Sequence, residues 1–151
     1  MAKLLEVVAP VVAPTLEPGE EMVDAVKVTR VKDPDLRGGP AAKARKEAYK
    51  QLGVSQAMVW VLTNKNLIFV KASPVTGKPT EVLSTHVLNK RRIQKVDVHK
   101  RGAGFGKYSV TLSIVGLPLA VQGQKDDIDE FIEHLWQHLE DIPGPGISVK
   151  P

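Results

Sequence analysis

Seven cations, Lys90, Arg91, Arg92, Lys95, Lys100, Arg101 and Lys107, lie between His86 and Lys107 against one acid, Asp97, a local charge of +6. Such a stretch attracts phosphate, carboxylate or an acidic protein segment, over a range that salt shortens. Phe105 lies between Arg101 and Lys107 inside Gly102-Ala103-Gly104-Phe105-Gly106, so an apolar tip flanked by cations is expected at a glycine-permitted turn. Two uses of the tip stand side by side: insertion at an anionic membrane surface, and seating in a protein partner. A solvated strand edge, protected by charge against aggregation, accounts for the same residues. Lys43, Arg45, Lys46 and Lys50 form a second basic group. It joins the first only if its helix folds alongside.

Other chemistry is poorly represented. The phosphate-loop pattern needs a glycine where Arg101 stands and Ser or Thr where Tyr108 stands. The dinucleotide fingerprint fails as well, because the third glycine comes one residue early and no strand–loop–helix unit follows. His134 and His138 have the helical spacing of a metal pair, but no third ligand is evident near them and the chain has no cysteine. No nucleophile–base–acid grouping stands out. The expectation is a protein that is not an enzyme and carries no cofactor or metal. Nucleic acid is disfavoured as a partner, since aromatics for base stacking are only 5% of the chain.

These residues must be positioned by a single domain, the usual outcome for 151 residues. Leu4–Val12 is apolar but broken by Glu6 and Pro10, with only Lys3 ahead of it, a poor secretory signal. A cytoplasmic protein is expected, with a peripheral place at the inner membrane face as the alternative. Residues 1–19 read as a Pro-rich arm that lays Leu4, Leu5, Val8, Val11 and Val12 on the domain or on a partner, with any helical turn ending before Pro10. Residues 20–142 form the domain, and 143–151 a flexible tail.

Within the domain, Met58–Val70 is the clearest signal. Two apolar runs, Met58–Leu62 and Leu67–Val70, flank Thr63-Asn64-Lys65-Asn66, a hairpin connection in which Asn tolerates a left-handed backbone. Both runs are continuously apolar, so the hairpin is expected mid-sheet with little exposed. Further strands are expected near Met22–Val31, Thr80–His86, Arg92–Arg101, Tyr108–Val115 and Leu117–Val121. Pro40–Leu52 reads as an Ala-striped surface helix ending at Gly53. Ile128, Phe131, Ile132, Leu135, Trp136 and Leu139 form the apolar face of a closing helix, with Asp127 and Glu130 (or Asp126 and Asp129) spaced as a capping box.

The class is α+β, mainly β. About seven antiparallel strands and one amphipathic helix hide their apolar faces best as a partly closed barrel, with Phe131 and Trp136 plugging the open end. Leu16-Glu17-Pro18-Gly19-Glu20-Glu21 and Trp60–Val70 resemble the bacterial pleckstrin-homology-like and GRAM-like domains, in which a Pro-Gly-Glu lead-in, a Leu-Thr-Asn hairpin and a terminal helix recur in this order. The resemblance covers about Leu16–Leu139. Two departures are visible: Asn66 stands where Arg is common, and the helix near Pro40–Leu52 occupies the first inter-strand loop. What the resemblance implies is a binding or scaffolding module whose partner is a protein, a second copy of itself or an anionic membrane surface. Arg91, Arg92, Lys95, Lys100, Arg101, Phe105 and Lys107 are the expected contact residues.

Overall fold

The computed structural model describes residues 2–30, 47–51, 53–89, 92–99, 106–114, 117–139 and 147–150. Seven strands run in chain order: β1 (Met22–Arg30), β2 (Ala57–Thr63), β3 (Asn66–Ala72), β4 (Pro79–Val87), β5 (Ile93–His99), β6 (Lys107–Ile114) and β7 (Leu117–Gln124). Helix α1 (Ala2–Val12) precedes them, α2 (Lys125–His138) follows, and the tail returns as a short β8 (Ile147–Lys150) parallel to β5. The order across the sheet is β4-β3-β2-β1-β7-β6-β5-β8. The first seven strands pair antiparallel, and β1 joins two meanders.

β1 pairs with β2 along most of its length but with β7 only at Thr29 and Arg30, so the two halves splay apart and curl toward each other. Glycine makes the junction possible: a Cβ on Gly123 would lie 2.8 Å from the Lys27 carbonyl oxygen. One core lies between the halves, from Val26, Met58, Trp60, Leu62, Leu67 and Phe69 on one side to Val96, Val98, Val110, Leu112 and Val121 on the other. β4 and β8 are the two ends of the described sheet and do not pair, and the barrel is open there.

Continuous apolarity in β2 and β3 has a two-sided cause. Met58, Trp60, Leu62, Leu67 and Phe69 face the main core, while Val59, Val61, Ile68 and Val70 belong to a second cluster with Val8 and Val12 of α1. α1 therefore roofs the outer face of the β1–β4 half. It also runs through Pro10, where a helix end was expected. Proline costs the interior of a helix about 3 kcal/mol through a lost hydrogen bond and a clash with the preceding turn. Val8 and Val12, four apart and fully buried, are anchored by the sheet, and Glu6, whose carbonyl loses its partner, is exposed to water.

α2 closes the inner face with Ile128, Phe131, Ile132 and Leu135, all buried. Phe131 meets Trp60, which stacks on Phe69 at 5.3 Å between centroids. Trp136 is not part of the plug: it lies at the edge of the apolar stripe, 38% exposed. The expected capping boxes do not form either. The helix begins earlier, at Lys125, with Gln124 at the cap position and no side-chain cap bond, so Asp126 and Asp127 fall in the first turn and complement the helix dipole instead.

Of the helix between β1 and β2, residues 47–51 are described. They are not only a surface layer: Tyr49 is buried in the main core, and Arg30 packs over its ring at 4.4 Å. The Ala stripe underestimates this helix because one aromatic supplies the burial that several alanines cannot.

The roofing role of α1 makes a direct prediction. Val8→Asp places a charge against the fully buried outer cluster and is expected to cost at least about 2 kcal/mol, the burial of a valine side chain, plus desolvation. Urea unfolding checks this, and an unchanged midpoint contradicts the packing.

Candidate functional site

Of the expected contact residues, Arg92 and Lys107 have described side chains, and the backbone of Lys95 lies in β5. Arg91, Lys100, Arg101 and Phe105 lie outside the described residues, as do Lys43, Arg45 and Lys46; Lys50 is exposed on the inserted helix. Lys107 opens onto a cleft of about 260 Å³ between β1, the β3–β4 turn and the β6–β7 hairpin. Lys27 lines the same cleft, with Ser73, Gln122 and Gln124 as further polar groups. Gly77, at φ +73°, folds the β3–β4 turn over Lys27, whose Nζ lies 3.3 Å from where a Cβ would be. Lys27 carries little signal in the sequence: it is one cation at an outward position of β1, a strand that also holds Asp24 and Arg30.

Arg92 is held inside the fold. Its Nε and Nη2 lie 3.2 and 3.0 Å from His86 Nδ1, and His86 Nε2 lies 3.0 Å from Ser84 Oγ. Guanidinium can only donate, so Nδ1 accepts, Nε2 carries the ring proton, and that proton is directed at Ser84. Ser84 in turn donates to the Gly53 carbonyl at 3.4 Å. The polarity is the reverse of nucleophile activation, in which imidazole accepts from the hydroxyl. What the chain does is tie β4 to the inserted segment and to the entry of β5. Burial first, then the Arg92 charge, push the His86 imidazole down to about 4 from an ordinary 6.5.

A second polar cluster joins the two motifs that carry the family resemblance. Glu20, of the Pro-Gly-Glu lead-in, accepts from Thr63 Oγ1 at 2.6 Å, Asn66 Nδ2 at 2.7 Å and the Glu17 amide at 3.0 Å. Asn64 accepts from the Glu21 amide and donates to the Gly19 carbonyl, so the lead-in and the hairpin turn clasp each other. Asn66 meets the Glu20 carboxylate with a neutral amide. Burial pushes the Glu20 carboxyl up, but the bonds from Thr63, Glu17 and Asn66, with Lys65 nearby, outweigh it and hold the group below its usual 4.5. Both motifs thus serve the fold.

His134 and His138 do not converge. His134 Nδ1 lies 2.8 Å from Asp24 Oδ2, whereas His138 Nδ1 turns back to the His134 carbonyl at 2.9 Å.

Stability should follow pH in two windows. His86 has its folded pKa depressed, so the unfolded chain takes up the proton first; its contribution is complete above about pH 6.5 and lost as pH falls toward 4. Glu20, also depressed, contributes above about pH 4.5 and loses that contribution below it. In urea midpoints measured against pH, His86→Gln is expected to flatten the upper window and Glu20→Gln the lower. Glu20→Gln should also cost about 1.5–3 kcal/mol at neutral pH, the range for hydrogen bonds to a charged group. A wild-type midpoint that stays level from pH 6.5 to 4 contradicts the assignment of His86.

No protein-family model and no curated protein sequence matches the chain. Solved structures do. A DUF1696-family protein with a pleckstrin-homology domain from Shewanella loihica superposes with a TM-score of 0.51 at 19% identity, over 89% of this chain and 92% of that one. A pleckstrin homology domain from Shewanella amazonensis gives 0.51 at 20%, over 88% and 95%. The hSac2 domain of the human phosphoinositide phosphatase Sac2 gives 0.52 at 13%, over 99% and 87%. At these identities the likeness is one of fold, and the chain has the fold of the pleckstrin-homology-like domains.

Proposed function

We propose that the chain is a non-enzymatic, intracellular binding or scaffolding module that works through protein–protein contact or self-association. The observation that carries this reading is the open edge of the sheet. Among the described residues β4 pairs with β3 on one side and with no strand on the other, and Glu81 is its only carboxylate or Lys/Arg residue. Natural edges are usually defended by charge; Gly53 lies against this one at Leu83 and Ser84, and the rest of it, poor in charge, is a template for an added strand. Val87, at the end of β4, is 55% exposed. The arrangement of Ser84, His86 and Arg92 supports the non-enzymatic part, since it withholds activation from the hydroxyl.

Light scattering tests this reading. The wild-type protein is expected to associate, and Val87→Lys to return it to the monomer while changing stability by no more than about 0.5 kcal/mol, as for an ordinary surface substitution. An assembly that Val87→Lys leaves intact counts against the β4 edge.

A second reading, peripheral binding to an anionic membrane, is favoured by the convergence of Lys27 and Lys107 on one cleft. It keeps the basic hairpin in play through Lys107. Co-sedimentation with phosphatidylserine vesicles should then weaken as salt rises and vanish in Lys27→Glu/Lys107→Glu. Equal recovery with neutral vesicles would sink it.

A further inference from the structure

We infer that Asp24, Glu130 and His134 form a binding site for a divalent transition-metal ion. The three come from two elements that the sequence gives no reason to connect. Strand alternation puts Asp24 on the inner face of β1 with Val26 and Val28, and the β1–β2 register shifts between Met22 and Asp24. Glu130 and His134 are four apart on α2, hence on one side of it. The folded chain brings one ligand atom from each within 4.8 Å of the others.

That separation suits a metal. Bonds of about 2.1 Å to nitrogen and carboxylate oxygen put tetrahedral ligand atoms about 3.4 Å apart, so Glu130 must move in by a modest contraction, while the His134 ring, 2.8 Å from Asp24 Oδ2, gives up the shared proton and shifts outward. The contraction falls on the group that can move. Asp24 is fixed, 3% exposed, with Oδ1 on the Ala25 amide at 2.7 Å and Oδ2 2.8 Å from His134 Nδ1. Glu130 is exposed and free to change rotamer, and its solvent side is the entry path for the ion.

The donor set narrows the ion. One imidazole with two carboxylates suits zinc, cobalt, manganese or iron better than calcium, which prefers six or more oxygens. Three protein ligands leave the remaining positions to water. The field also helps: Asp126, Asp127, Asp129, Glu130 and Glu133 crowd this part of α2 with no Lys or Arg after Lys125. His138, committed to the helix backbone, is not a ligand. A bound ion would fasten the closing helix to the first strand.

Cobalt(II) is the probe, because its visible absorption reports coordination directly. Titration of the full chain should give one site per chain with a visible d–d spectrum, displaced by zinc, and either ion should raise the unfolding temperature. Glu130→Gln, at an exposed position that leaves the fold intact, and His134→Ala should each abolish the spectrum and the thermal shift. His138→Ala should keep both. No spectrum in the wild-type protein, binding that persists in Glu130→Gln or His134→Ala, or equal loss in His138→Ala overturns the site.

Discussion

Burial of the β2–β3 hairpin on both faces is the constraint on which the rest of the structure depends. Trp60 and Phe69 on one side and Val59, Val61, Ile68 and Val70 on the other cannot all be satisfied by a sheet with a single wet face. The inner face draws in the β5–β7 meander and α2. The outer face draws in α1, strongly enough to carry the helix through Pro10. A curled sheet with a roof and a plug follows from one apolar hairpin, and the opening is left where neither reaches, between β4 and β8.

Polar residues buried in this frame work as fasteners between elements distant in sequence. Glu20 ties the lead-in to the hairpin, Arg92 and His86 tie the entry of β5 to β4 and the inserted segment, and Asp24 ties β1 to α2. Each satisfies a buried ionisable group, Glu20, His86 or Asp24, so each is sensitive to loss of one member. Outside the fasteners lie a strand edge with a single charged residue, Glu81, and a cleft lined by Lys27 and Lys107.

The strands were legible because period-two alternation and Asn- or Gly-containing turns are local properties; β1 through β7 lie within about two residues of their expected bounds, except β7, which runs on to Gln124. What was not legible depended on tertiary partners. Pro10 reads as a helix stop until the sheet beneath Val8 and Val12 is known. Trp136 reads as core because it lies at the margin of a broad apolar stripe, and the start of α2 at Lys125 is set by where β7 ends. Glu20 and His86 are ordinary surface residue types whose burial no spacing announces. The candidate sites share this difficulty: Lys27 with Lys107, and Asp24 with His134, are 80 and 110 residues apart.

A strand that is apolar on both faces has a further property. In a half-wet sheet, sliding one strand by a single residue turns its apolar set toward water, and that penalty selects the pairing. β2 and β3 lack this protection, since a slipped hairpin would still bury apolar side chains on either side. Selection must come from the turn, where Thr63, Asn64 and Asn66 meet Glu20, Glu21 and Gly19 in only one alignment. The clasp at the barrel's rim therefore fixes the register of the folded hairpin, which the apolar pattern by itself leaves open.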